Sequence, residues 1–217
     1  MNISNELKKM IEEFIESLKK NDNLLKLAND GKVTIDIVEE YLASVLYLIS
    51  NTPVHLKLAQ EYSSHLPKLK SHFEKKIQEE TGHDKWAEAD LSELDKLSKL
   101  SQITPNKNIV DLVKYLEHSI RVDVKSYLAY ILFAEYFTVL AGPLWVGALV
   151  NHCNIPVSAL SVVTNHMELD KEHVADGSDE IDDLLNQDND FSELVTVVYN
   201  SQMFFKLFFN DLASKVK

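Results

Sequence analysis

VVTNHMELDKEHVADG, Val162 to Gly177, contains the pattern H-x3-D-x2-H formed by His166, Asp170 and His173. At roughly 100° per residue of α-helix these side chains project within about 60° of one another, so one helix face carries two imidazoles and a carboxylate. Such ligands suit a first-row metal such as iron, manganese or zinc, and successive turns can reach one ion or two adjacent ions. The same spacing also describes an amphipathic helix whose wet face includes Glu168, Lys171 and Glu172. The rest of the chain has to decide between the two.

Composition frames the choice. A chain of 217 residues, 45% hydrophobic, can bury one substantial core but not two independent ones, which predicts a single domain over 1–217. Five glycines and five prolines predict long helices with few tight turns, hence an all-α fold. The net charge of −12 repels a phosphate backbone and an anionic bilayer, which argues against nucleic-acid and membrane partners. A lone cysteine, Cys153, and a start, MNISNELKKM, without an apolar leader core point to a reducing cytoplasm. Tyr127 to Val150 is apolar enough to suggest a membrane span, but it contains Glu135 and Gly142-Pro143 and reads better as a buried core helix followed by a second, short one.

Taken in order, Ser4 is positioned to cap a first helix to about Lys20, with Leu7, Met10, Ile11, Phe14, Ile15 and Leu18 on one face. Thr34 can cap a long apolar helix, and Asn51-Thr52-Pro53 reads as the start of another segment. Pro67 opens a helix that continues through Glu80, His83 and Trp86 to Leu91, with His55 and His65 expected at helix surfaces or edges. His72 lies on the His83 face but about 16 Å away, too far to share an ion. Ala89 to Ser101 reads as a short helix and an exposed link, and Ile103 to Asn108 as a loop. Helix resumes at Ile109. Pro156 opens the helix bearing the H-x3-D-x2-H face, which is expected to stop near Gly177. Ser178 to Asp190 reads as a solvated connection to a last apolar helix that closes the core.

Two further sites carry chemistry. Glu80 and His83, spaced i, i+3, offer an oxygen and a nitrogen from neighbouring rungs, with Glu79 as an alternative oxygen donor. Glu135 lies among Ile131, Leu132, Phe133, Phe137 and Val139, where an ionised carboxylate costs several kcal/mol unless it is protonated, paired or metal-bound. No Lys or Arg lies between Lys125 and Lys171, so any partner comes from elsewhere in the fold. Leu128, Leu132, Thr138, Val139, Ala159 and Val163 fall one or two turns along these faces and are candidate pocket walls, or ordinary core.

Three segments thus offer three carboxylates and three imidazoles, a complement suited to two iron ions. The blocks IQEETGHDKWAEADL, YILFAEYF and NHMELDKEHVADG, in that order, resemble the heme-oxygenase-like diiron oxidases. That superfamily shares its fold with thiaminase II and pyrroloquinoline-quinone synthase, and includes a chlamydial death-domain-associated protein and an alkene-forming fatty-acid decarboxylase. The resemblance implies a bundle of about seven helices, two non-heme irons and no heme. It also implies a reaction of dioxygen with a small organic substrate, fatty-acid- or amino-acid-derived, and a homodimer is a candidate assembly. Carried over position by position, the metal ligands are Glu80, His83, Glu135, His166, Asp170 and His173. Many members place their first Glu seven residues before the His, where this chain has Lys76; the branch of the alkene-forming enzyme resembles Glu-x-x-His, which Glu80-Thr81-Gly82-His83 matches. The alternatives are a metal-independent enzyme, thiaminase-like or quinone-synthase-like, in which the same residues move protons, and a non-enzymatic helical interaction module.

Overall fold

A computed structural model describes residues 3–95, 104–185 and 191–216, and every described segment with regular structure is helical. In chain order the helices are α1 (Ile3–Asn21), α2 (Asn23–Asn29), α3 (Ile35–Tyr62), α4 (Pro67–Glu80), α5 (Asp84–Asp95), α6 (Lys107–Val122), α7 (Ser126–His152), α8 (Ser161–Leu185) and α9 (Phe191–Lys215). A single 3₁₀ turn, Val157–Ala159, precedes α8.

Helix α7 is the axis of the bundle. Its run from Tyr127 to Phe133 is buried without interruption, which needs neighbours on every side. These are α8, α1, α9, α2 and α6, while α3 gathers α4, α5 and α6 on the other flank. By length and composition α7 could cross a membrane, but here it is wrapped by other helices. The α1 stripe packs as its spacing predicts: Leu7, Ile11 and Ile15 are buried, and Met10, Phe14 and Leu18 pack beside them. Glycine sets the closest α7–α8 approach, since a Cβ at Gly142 would lie 2.6 Å from Met167 Cγ.

Several expected boundaries move. Ser4 lies inside α1 rather than capping it, and its backbone N–H and hydroxyl both donate to Asp182 of α8 at 2.9 Å. That anchor, with Lys68 donating to Asp183, helps carry α8 past Gly177, where a stop was expected. Tertiary bonds of this kind outweigh the roughly 1 kcal/mol helix penalty of one glycine. Pro53 and Pro143 both sit within continuous helices rather than starting new ones. Before Pro53, Asn51 and Thr52 donate their side chains to Tyr47 O and Leu48 O, bracing the turn the proline weakens. Pro156 opens the 3₁₀ turn, not α8 itself. The helix expected from Pro67 to Leu91 is instead two, α4 and α5, because Gly82 takes φ +99° and turns the chain between them. His55, expected at a surface or edge, is buried edge-on against Tyr127 with ring centroids 5.8 Å apart, and burial pushes its imidazole down to about 4. His65 is exposed as expected, and His72 is buried. Of the two links, residues 96–103 and 186–190 lie outside the described residues.

The start of α8 is fixed by a residue from another helix. Fully buried Asp90 of α5 accepts from Ser161 N–H at 2.9 Å, Ser161 Oγ at 2.5 Å and Val162 N–H at 2.8 Å. It acts as an N-cap supplied in trans, satisfying amides that a helix start leaves open. Asp90→Ala is therefore expected to lower unfolding free energy by about 2–4 kcal/mol, combining a lost cap with buried donors left unpaired. Urea denaturation checks this; a loss below about 1 kcal/mol contradicts the capping role.

Candidate metal centre

Glu80 is the last residue of α4, and His83 follows in the Gly82 turn. The pair therefore meets across a helix break rather than along one helix, with His83 Nδ1 3.2 Å from Glu80 Oε2. His83 is held from behind by Trp86, stacked at a centroid distance of 4.3 Å. Opposite, α8 presents His166, Asp170 and His173 on one face as their spacing predicts. His166 Nδ1 lies 2.7 Å from Val162 O, one turn back, which assigns the proton to Nδ1 and leaves the Nε2 lone pair directed toward Glu80 Oε2 at 4.0 Å. A metal-ligating histidine is oriented in this way. Glu135 enters from α7 with its Oε1 3.6 Å from His173 Nδ1, and Asp170 Oδ1 is also 3.6 Å from that nitrogen.

The six residues form two adjoining triads. Glu80, His83 and His166 bring one donor atom each within 4.8 Å of one another, and Glu135, Asp170 and His173 do the same. The two candidate oxygen donors of α4 separate cleanly: Glu80 faces the first triad, while Glu79 Oε2 lies 3.8 Å from His173 Nε2 and 3.1 Å from Lys76 Nζ. Lys76 is also the distant partner that Glu135 requires, donating to Glu135 Oε1 at 2.7 Å.

The electrostatics are those of an acid cluster short of positive charge. Burial raises Glu135 to about 7 against the pull of Lys76, with Asp170 adding to the rise, and burial likewise raises Asp170. Burial works upward on Glu80 too, but the His83 hydrogen bond and the neighbouring His166, His83 and Lys76 side chains outweigh it and leave the carboxyl below its ordinary value. Asp170 is the main influence raising His173. His173 Nδ1 is buried without a hydrogen-bond partner, an expensive arrangement unless a proton or an ion is shared there. Carboxylates and imidazoles with exposed lone pairs, converging in a buried place, fit a divalent first-row ion.

No protein-family model and no curated protein matches the chain at the level of sequence. Solved structures do match in shape. A domain of unknown function with a heme oxygenase-like fold from Shewanella denitrificans superposes with a TM-score of 0.81 at 19% identity, covering 97% of this chain and 92% of that one. The fold is heme-oxygenase-like. A CADD-like protein of unknown function from Nostoc punctiforme is similar as well, with a TM-score of 0.71 at 13% identity over 98% of both chains. At such identities the heme-oxygenase-like fold is what is shared, and the ligand geometry stands on this chain's own residues.

Within this heme-oxygenase-like bundle four of the six triad residues, Glu80, Glu135, His166 and Asp170, line a cavity of about 200 Å³. Lys76, Glu80, Glu135, His166 and Asp170 lie at its polar end, and Tyr41, Trp145, Phe137, Phe205 and many aliphatic side chains line the rest. Of the expected pocket walls, Thr138 and Val163 line it, whereas Leu128, Leu132 and Ala159 belong to the packed core and Val139 is not among the lining residues. Tyr127 and Tyr130, stacked at 5.6 Å, flank the acid cluster and were not anticipated from sequence.

The raised Glu135 gives a pH test with a definite sign. Its folded value near 7 exceeds its ordinary 4.5, so the contribution to stability is fully present below pH 4.5 and is lost as pH rises through 7. Raised Asp170 and His173 act in the same direction. Metal-free protein should therefore lose stability from pH 5 to pH 8, with up to roughly 3 kcal/mol traceable to Glu135. Denaturation curves of Glu135→Gln across that range should show a shallower fall; an unchanged or steeper one contradicts the assignment.

Proposed function

We propose that this protein is a non-heme iron oxidase or oxygenase that uses dioxygen to oxidise a small organic substrate held in the apolar cavity. The observation that carries this reading is the pair of carboxylate/histidine triads, drawn from α4 and its following turn, α7 and α8, with Glu80, Glu135, His166 and Asp170 lining the polar end of that cavity. Glu80, His83 and His166 would hold an ion, and Glu135, Asp170 and His173 offer a second, adjoining set of donors. When bound, ferrous iron would supply the electrons that dioxygen needs and that none of these side chains offers.

The remaining work belongs to the chain. His166, with its Nδ1 proton committed to Val162 O, keeps Nε2 available as a donor without a change of tautomer. Trp86 fixes the plane of His83 by stacking, so the ring is oriented before any ligand arrives. Phe137, Phe205, Phe209 and the aliphatic lining exclude water and offer dispersion contacts to an aliphatic or amino-acid-derived substrate. The Tyr130 hydroxyl, raised above its ordinary range by burial, stays protonated and can donate to a polar group of the substrate.

The test is anaerobic loading of metal-free protein with Fe(II), followed by exposure to oxygen. Iron should bind, oxygen should be consumed in proportion to it, and a transient visible absorption should follow mixing. His166→Ala should weaken iron binding by at least ~10-fold. Oxygen uptake unaffected by His166→Ala, or turnover of a substrate undiminished after chelation, would instead favour a metal-independent acid/base enzyme on the same fold.

A further inference from the structure

The two triads are unequal, and Lys76 makes them so. This side chain lies one turn before Glu80 on α4, is 8% exposed, and donates its ammonium to Glu135 Oε1 at 2.7 Å. The same Oε1 lies 3.6 Å from His173 Nδ1, so the ammonium sits on an oxygen that Glu135 turns toward its triad partner. In the other triad Glu80 Oε2 faces two imidazoles, at 3.2 Å and 4.0 Å, with no ammonium or guanidinium at ion-pair distance among the described residues. One half of the centre already holds a cation; the other holds only lone pairs and a carboxylate.

Charge balance agrees with that asymmetry. One divalent ion and one ammonium together neutralise Glu80, Glu135 and Asp170, the three carboxylates of the two triads. Glu79 remains at the rim, 24% exposed, shared between Lys76 and Lys75, the latter at 3.6 Å. A second divalent ion on Glu135 would have to share this buried carboxylate with an ammonium in hydrogen-bond contact, and like charges at that range repel strongly where water is scarce.

We propose that Lys76 serves as the resident cation of the Glu135, Asp170 and His173 position. The chain then holds one metal ion, on Glu80, His83 and His166, and takes a second with comparable affinity only when the Lys76 charge is removed. This rests on the metal-dependent reading above and deepens it by naming the residue that sets stoichiometry. Lys76 is a specificity-determining residue in this role, not a ligand.

Titration of metal-free protein with Mn(II), read by elemental analysis and electron paramagnetic resonance, tests it without any substrate. Wild type should bind one Mn(II) per chain with an isolated-ion spectrum, lost in His83→Ala and retained in His173→Ala. Lys76→Met and Lys76→Gln should bind two, the second at least ~100-fold more tightly than wild type does, with the exchange-coupled spectrum of ions about 3.5–4 Å apart. Lys76→Arg keeps the charge and should stay at one. The glutamine variant retains a hydrogen-bond donor toward Glu135, so it provides folded material if the methionine variant does not. Two ions of similar affinity in wild type, or a single ion in the neutral variants, overturns the role of the lysine and leaves metal binding standing. No Mn(II) in any of the proteins removes metal binding at this centre and the inference with it.

Discussion

A carboxylate inside a greasy helix is the constraint from which the rest follows. Glu135 sits on α7 beside Tyr127 to Phe133, a run buried on all sides, and water cannot stabilise its charge there. The fold answers by aiming cationic or cation-accepting groups at it from two other helices: Lys76 from α4 and His173 from α8. The close α7–α8 packing, with Gly142 under Met167, helps keep those distances short. Packing and charge thus determine one another, since the helices that bury Glu135 also carry what makes its burial tolerable.

Much of this arrangement was readable in the sequence because it depends on local periodicity. His166, Asp170 and His173 share a face through helical spacing alone, and the scarcity of glycine and proline forecasts a helical bundle. The apolar neighbours of Glu135 likewise announce that it needs a distant partner. What periodicity does not encode is which distant residue arrives. Lys76 precedes Glu135 by 59 positions and meets it only because α4 folds back across α3. Its place in the sequence marked it as unusual but could not give it a partner.

Helix boundaries failed in the sequence reading for a related reason. Pro53, Pro143 and Gly177 each carry a local signal to stop, and each is overridden by contacts from elsewhere or by bracing side chains nearby. Gly82 is the converse case: a continuous helical pattern is broken by one residue with positive φ. That break changes how Glu80 and His83 meet, while leaving both at the site. The pocket was legible only in part, because Thr138 and Val163 line it through their facing, whereas Leu18, Tyr41, Phe205 and Phe209 come to it from other helices through tertiary packing.

Helix α5 has a part larger than its length suggests. His83 and Trp86 sit at one end, and Asp90, about 10 Å further along, holds the first turn of α8. The helix works as a strut between the turn that delivers one imidazole and the helix that delivers two more. Damage anywhere along it would slacken both halves of the centre together, so loss-of-function lesions far from any donor atom should gather on this short segment.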